Sequence, residues 1–261
     1  MAEAEKPVRH VLGLSGGKDS AALAIYLKDQ GRVPEMEYFF CDTGAELPEV
    51  YDFLDRMEDY LGKEVVRLNS GRDFDHHLKR FGNFLPSPRQ RWCTRVMKIE
   101  PFERFIGDDE AISYIGIRAD ENREGYISTK PNIKPAFPFI HDDIVRDDVF
   151  RILEETVGIP EYYRWRDRSG CYFCFFQKRR EWLGLKREHP ELFEAAKRYE
   201  NQKDGYSWVQ GMTLDELVVR AESMEDENNE YMPQSTTWQE ILRRETEDDD
   251  PEEQACLICS L

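Results

Sequence analysis

The sequence predicts an α/β fold: a twisted, mostly parallel sheet with helices on both faces, followed by a mainly helical C-terminal region. Three observations carry that prediction. Short apolar runs alternate with segments of helical spacing through the first half of the chain. The first run passes directly into a turn with two adjacent glycines and then into a helix. Beyond residue 141 the strand pattern fades, and arginine, cysteine and aromatic residues accumulate.

The elements follow in order. Residues 8–14 (VRHVLGL) read as a buried strand, and Ala21 to Leu27 as the core of a helix. Residues 36–41 (MEYFFC) read as a second strand that ends at Asp42-Thr43-Gly44. Residues 47–61 have helical spacing, with Leu47, Val50, Tyr51, Leu54, Met57 and Leu61 on one face. Residues 64–68 read as a third strand, 91–106 as a helix and 111–118 (AISYIGIR) as a fourth strand. The stretch 130–141, with Pro131, Pro135 and Pro138, breaks the pattern. Residues 142–157 read as a helix, and the chain after Cys174 is mainly helical. Beyond about residue 210 it is acidic, with a short helix expected over 237–245 and a flexible tail at EDDDPEE. This gives a nucleotide-binding α/β domain over 1–140, a helical Cys/Arg-rich region over 141–210 that completes the site, and an acidic segment over 211–261, partly flexible.

The 261 residues suffice for a full hydrophobic core. No run approaches the ~20 apolar residues of a membrane span, and the N-terminus has no apolar signal region. The expected compartment is therefore the cytoplasm, with no membrane partner. Six cysteines there point to metal ligands, redox groups or core residues before structural disulfides. The net charge of −17 argues against nucleic acid until its distribution is considered. Residues 215–253 hold fifteen acids against three bases. Residues 79–104 hold seven bases against two acids, and residues 164–187 eight against two. Charges are screened within ~8 Å at physiological salt, so these two stretches can attract a polyanion despite the acidic total.

The strongest motif is Ser15-Gly16-Gly17-Lys18-Asp19-Ser20, between strand and helix. Adjacent glycines bring backbone N–H groups close to a ligand, and the helix N-terminus adds partial positive charge. Together they form a phosphate cradle. The spacing from Gly13 to Gly17-Lys18 is one residue too short for a Walker A loop. Lys18 and Arg118, with Arg123, are suited to neutralising phosphates. Asp19 and Asp42 are suited to Mg²⁺.

SGGKDS after a first strand resembles the PP-loop of the N-type ATP pyrophosphatases, the adenine nucleotide alpha-hydrolase-like group. Asp42-Thr43-Gly44, the Arg91-Trp92-Cys93-Thr94-Arg95 segment with Lys98 and Pro101, and Gly116-Ile117-Arg118 with Asp120, Glu121 and Arg123 resemble the phosphoadenosine-phosphosulfate reductase-like branch. The resemblance covers about residues 9–200. It implies that Ser15, Gly16, Gly17, Lys18, Asp19, Ser20, Asp42, Gly116 and Arg118 bind ATP with Mg²⁺. It further implies that Lys18, Asp19, Asp42 and Arg118 serve cleavage between the α and β phosphates.

Cys171-Tyr172-Phe173-Cys174 is a C-x-x-C, and Cys93 lies in the family-like segment. Three thiolates can hold a [4Fe-4S] cluster with one open iron, with zinc as the alternative. A fourth ligand would be Cys41, Cys256 or Cys259. A C-terminal E-C-G-[IL]-H-like motif, as in true sulfonucleotide reductases, is replaced by Ala255-Cys256-Leu257-Ile258-Cys259. The segment Arg166 to Cys174, followed by Trp182, His189-Pro190, Phe193 and Glu200, instead resembles the DNA phosphorothioation proteins of the DndC and SspD type. That resemblance implies adenylation of a nucleic-acid acceptor for sulfur insertion. DNA is the expected partner and tRNA the alternative, with a cysteine desulfurase as sulfur donor and other subunits of a modification system. Arg91, Arg95, Lys98, Arg166, Arg168, Lys178 and Arg179 are the expected backbone contacts. Trp92, Tyr163, Trp165 and Phe173 are candidates to stack on a base, with core packing as the competing role.

Overall fold

In the computed structural model, residues 7–122, 128–200 and 205–228 are described. Five strands, β1 (Arg9–Gly13), β2 (Glu37–Cys41), β3 (Val65–Leu68), β4 (Ala111–Tyr114) and β5 (Ile133–Ala136), form one sheet in the order β3-β2-β1-β4-β5. Every pairing is parallel, with Val11 opposite Glu37 on one side and Ser113 on the other. The expected parallel α/β sheet is therefore present.

Side chains alternate across a strand, and the buried residues follow that alternation. Leu12, Leu14, Tyr38 and Phe40 face a core shared with α1 (Lys18–Asp29) and α2 (Pro48–Leu61). Val11, Phe39, Cys41, Ala111 and Ile133 face the opposite core. Further along the chain lie α3 (Phe74–Arg80), α4 (Trp92–Thr94), a π-helical turn (Arg95–Ile99) and α5 (Glu100–Ile106). Phe102 of α5 stacks on Phe39 at 4.8 Å between ring centroids. Helices thus cover both faces. The sequence reads 91–106 as one helix. The chain keeps that course but widens its hydrogen bonding over Arg95–Ile99, a distortion common near functional sites.

Two elements depart from the sequence reading. The proline-rich stretch contains β5, which is tolerated because Pro135 sits on an edge strand where a missing N–H breaks no further pairing. It continues into α6 (Pro138–His141), and α7 (Arg146–Glu154) packs on α1. The C-terminal region contains a 3-10 turn (Glu161–Arg164), α8 (Arg179–Glu188), α9 (Pro190–Lys197) and α10 (Leu214–Asn228). The expected acidic, partly flexible segment begins with α10, whose Leu214, Leu217, Val218 and Ala221 join the main core. The expected helix at 237–245, the tail, Arg123, Cys256 and Cys259 lie outside the described residues.

His189, at the joint of α8 and α9, ties this region to α2. Its Nε2 lies 2.7 Å from Glu49 Oε1. The hydrogen bond to Glu49 raises the imidazole pKa against the opposing effect of burial. Burial pushes the Glu49 pKa up, but its bond to His189 and further hydrogen bonding leave it below its ordinary value. His189 therefore stabilises the fold fully below its unfolded pKa of ~6.5 and loses that contribution as pH rises through the higher folded value. Glu49 contributes above an unfolded value of ~4.3 and loses its share on acidification. His189→Ala is expected to cost about 1–3 kcal/mol at pH 6, with a smaller difference at pH 9. Urea melts at both pH values measure this, and an equal loss at both would contradict the pairing.

Candidate functional site

The strand order reverses at β1, which lies between β2 and β4. In open parallel sheets the crevice outside the strand ends at such a switch is where ligands bind. The glycine loop leaves β1 there, Asp42 leaves β2, and the segment Ile115 to Arg118 leaves β4. Gly16 has φ +76°, and a Cβ on it would stand 2.6 Å from Val50 Cγ1 of α2. Only glycine meets both demands. Gly17 is the N-cap of α1 without a side-chain cap, so the helix start is left to other donors and acceptors. Ser15 N–H donates to Ser20 Oγ at 3.2 Å, and Gly17 N–H donates to Ser15 Oγ at 3.3 Å. Lys18 is buried, with its Nζ 5.2 Å from the Tyr163 ring centroid and 3.5 Å from Asp19 Oδ2.

The helical region closes over this loop. Tyr162 donates its hydroxyl to Gly16 O, and Lys18 N–H donates to the Tyr163 hydroxyl at 2.9 Å. Ser169 Oγ lies 3.5 Å from Ser15 Oγ. Residues 162–169 thus supply part of the loop's surroundings, and the site spans the first two sequence regions.

Gly116 brings the end of β4 against α1, because a Cβ there would stand 2.8 Å from Asp19 O. Arg118 follows. It is 2 % exposed, and its guanidinium meets Asp19 at 2.7 Å, Asp120 at 3.0 Å and Glu121 at 2.9 Å. Burial alone would lower its pKa, but the three carboxylates outweigh burial and raise it. Arg118 is thus held by protein carboxylates, Asp19 among them.

Asp42 Oδ1 accepts from Gly44 N–H at 2.8 Å and from the Tyr51 hydroxyl at 2.9 Å. Four residues on, Glu46 is buried, and hydropathy did not single it out. Its carboxylate accepts from Thr43 Oγ1 at 2.7 Å, Ala45 N–H at 3.1 Å and the Tyr51 hydroxyl at 3.3 Å. Burial raises its pKa, opposed by the charge of Lys98. Cys171 Sγ lies 3.2 Å from Thr43 Oγ1 and 3.9 Å from Glu46 Oε1. Enclosure of the sulfur pushes this thiol's pKa up, and the Glu46 charge adds to the rise.

One cavity is lined by Cys93, Cys171, Cys174, Thr43 and Lys98, with an aromatic wall that includes Phe74 and Phe176. The three cysteines nominated from sequence are therefore neighbours of one space. Cys41 is not among them. Its side chain lies in the opposite core, its Sγ donates to Lys98 O at 3.6 Å, and burial pushes its thiol up to about 12. It does not line the cavity that gathers the other three.

Three thiols are the right donor type for a soft metal. Their arrangement is not that of an assembled centre. Among the described residues no three of His, Cys, Asp and Glu stand together so as to hold a metal ion, and Cys171 is turned onto Thr43 and Glu46. As placed, they do not fit a cluster. For Mg²⁺, Asp42 fits, because both of its hydrogen bonds fall on Oδ1. Asp19 is occupied by Arg118 and Lys18.

The basic residues divide into groups. Arg91 and Arg168 place their guanidiniums 4.9 and 5.7 Å from the Phe176 ring centroid. Lys98 lines the cavity. Arg95 and Arg179 are exposed, Arg95 lying 3.5 Å from Glu100. Lys178 pairs with Asp167 at 3.6 Å. Arg166 is a correction: it is completely buried and donates to Gly170 O at 3.2 Å and Cys171 O at 2.7 Å, so it shapes the cysteine turn and offers nothing to a nucleic acid. The stacking candidates Trp92, Tyr163, Trp165 and Phe173 are all buried and serve as core.

An open parallel sheet with its candidate site outside the strand ends defines the class of protein. Residues 9–139 match the family model of the phosphoadenosine phosphosulfate reductase domain, and the chain belongs to that family. Two uncharacterized proteins of Methanocaldococcus jannaschii are similar to it. One is 31 % identical over 204 residues, covering 73 % of this chain and 40 % of the relative. The other is 27 % identical over 190 residues, covering 69 % and 44 %. The chain thus spans less than half the length of these relatives. A crystal structure of phosphoadenylyl-sulfate reductase from Candida auris, in its phosphate complex, superposes with a TM-score of 0.46 and 13 % identity over 59 % of this chain and 76 % of that one. No helix among the described residues is long and apolar enough to cross a membrane.

Proposed function

We propose that the protein is an ATP pyrophosphatase and sulfurtransferase that adenylates a nucleic-acid acceptor for sulfur insertion, in DNA backbone phosphorothioate modification. The observation that carries this reading is the strap from Ser169 to Cys174. One end touches the glycine loop through Ser15, and the other supplies two thiols to the cavity that Cys93 shares. A nucleotide activated at the loop would lie beside sulfur chemistry.

The steps balance. A non-bridging oxygen of the acceptor phosphate attacks the α phosphorus of ATP, and pyrophosphate leaves. A persulfide sulfur, supplied by a cysteine desulfurase, attacks the adenylated phosphorus, and AMP leaves with the oxygen; a second thiol then attacks the carrier sulfur, the S–S bond breaks to release the phosphorothioate, and an external dithiol reduces the disulfide that is left. Lys18 and the N-terminal N–H groups of α1 meet the charge that develops on pyrophosphate. Asp42 would hold Mg²⁺, whose part when bound is to neutralise phosphate charge. Loading of Cys93, Cys171 and Cys174 with iron–sulfur or zinc requires Cys171 to leave Thr43 and Glu46, and no step is assigned to it. The partners remain those expected from sequence: DNA, the desulfurase and further subunits of a modification system, in the cytoplasm.

The family match favours a second reading, a sulfonucleotide reductase. One experiment separates the two: anaerobic incubation with Mg·ATP, with and without DNA or tRNA, and product analysis. AMP and pyrophosphate, with DNA stimulating, are expected. Lys18→Ala is expected to slow cleavage by ~10²–10³-fold while keeping the wild-type circular dichroism spectrum. Stimulation by tRNA alone would move the acceptor to tRNA. Sulfite from phosphoadenosine phosphosulfate without ATP cleavage would establish the reductase, and ADP with phosphate would refute α–β cleavage.

A further inference from the structure

The four aromatics nominated for stacking are core residues, and the pair that follows the C-x-x-C is placed differently. Phe175 and Phe176 are half-buried and line the thiol cavity. Their ring centroids are 4.5 Å apart. Arg91 comes from the first basic stretch and Arg168 from the second. Both guanidiniums lie beside the Phe176 ring. The two basic stretches, separate in sequence, thus meet at one aromatic side chain, and Lys98 lines the cavity that this side chain borders.

We propose that Phe176, with Arg91 and Arg168, seats one unpaired nucleotide of the acceptor strand. The inference rests on the reading of the protein as an enzyme acting on a nucleic acid. Guanidinium planes stack on aromatic rings and on bases while their N–H edges remain directed at phosphate oxygens. A base packs against Phe176, and the two neighbouring guanidiniums attract the flanking phosphates. Two guanidiniums beside Phe176, and Lys98 on the cavity that Phe176 lines, suit an anionic, planar ligand. Phe176 lines a cavity together with Thr43 and Cys171, so a base paired and stacked within a duplex does not reach it. The seated nucleotide brings its phosphate toward the thiols.

A short single-stranded oligodeoxynucleotide carrying 2-aminopurine tests this by anisotropy and by quenching of the base on stacking. Wild type is expected to bind and quench. Phe176→Ala is expected to bind ~10-fold more weakly and lose the quench, whereas Phe176→Trp restores both. Melting curves of each variant guard against misfolding. The same sequence as RNA identifies which kind of unpaired strand is preferred, and binding of either supports the platform. Duplex DNA bound as tightly as the single strand overturns the claim for an unpaired nucleotide. Equal oligonucleotide binding by wild type and Phe176→Ala overturns the platform and leaves the nucleic-acid reading standing. No polynucleotide binding by wild type, with adenosine 3′,5′-bisphosphate bound instead, overturns both.

Discussion

Gly16→Ala is expected to lower the melting temperature by roughly 5–15 °C and to abolish nucleotide binding. Two independent penalties meet at this position. A φ of +76° costs a side-chain-bearing residue ~1–2 kcal/mol. The new Cβ would stand 2.6 Å from Val50 Cγ1, and overpacking of that kind costs ~1–3 kcal/mol. Each kcal/mol moves the melting temperature of a domain this size by ~2–4 °C. Val50 is completely buried, so the loop cannot be eased by turning that side chain to solvent. Val50→Ala separates the penalties. It leaves space that the Gly16→Ala methyl occupies in part, so the double variant should be more stable than the two single losses predict by at least ~0.5 kcal/mol. The φ penalty remains. Strict additivity in thermal melts, or a Gly16→Ala protein that melts with wild type, would show that the loop does not press on α2.

The parts of this molecule legible in its sequence are those fixed by local pattern. β1, β2 and β3, α1 and α2 lie where apolar runs and helical spacing place them, because strands buried on both faces read as continuous hydrophobic segments. β5 was not legible. Its Ile133-Lys134-Pro135-Ala136 offers one strong strand former, and its existence depends on pairing with β4, a non-local fact. α10 was hidden by its charge, because four buried residues are enough to dock a helix whose other face is acidic. At the site, Cys93, Cys171 and Cys174 were found by motif, and the cavity gathers them. Glu46 was missed because an acidic residue just before Leu47-Pro48 looks like an ordinary charge at a helix start. The one available signal was its spacing of four residues from Asp42. Arg166 reads as a surface contact because a basic run gives no indication of which arginine turns inward. Backbone carbonyls at Gly170 and Cys171 decide that, and they exist only once the turn has formed.

Arg118 is expected to be the residue whose loss costs most. Its guanidinium is buried against Asp19, Asp120 and Glu121, which keep partial access to solvent, so Arg118→Met removes the cation that holds three carboxylates together. Deleting one partner of a fully buried group costs ~3–5 kcal/mol, and the partial exposure of these carboxylates places the loss near the lower end. Arg118→Lys keeps the charge but not the fork. One ammonium cannot reproduce contacts made by Nε to Asp120 and by Nη1 to Asp19 and Glu121, so an intermediate loss is expected. The effect on chemistry should follow Asp19. Gly116 seats β4 against the Asp19 backbone and Arg118 anchors its side chain, so freeing that carboxylate disturbs Lys18, 3.5 Å away. Urea denaturation and ATP-cleavage rates measured on both variants test the two halves separately. A lysine variant with wild-type stability and reduced cleavage would mean that Arg118 acts on the nucleotide itself. A methionine variant with wild-type stability would mean that the three carboxylates are not held by it at all.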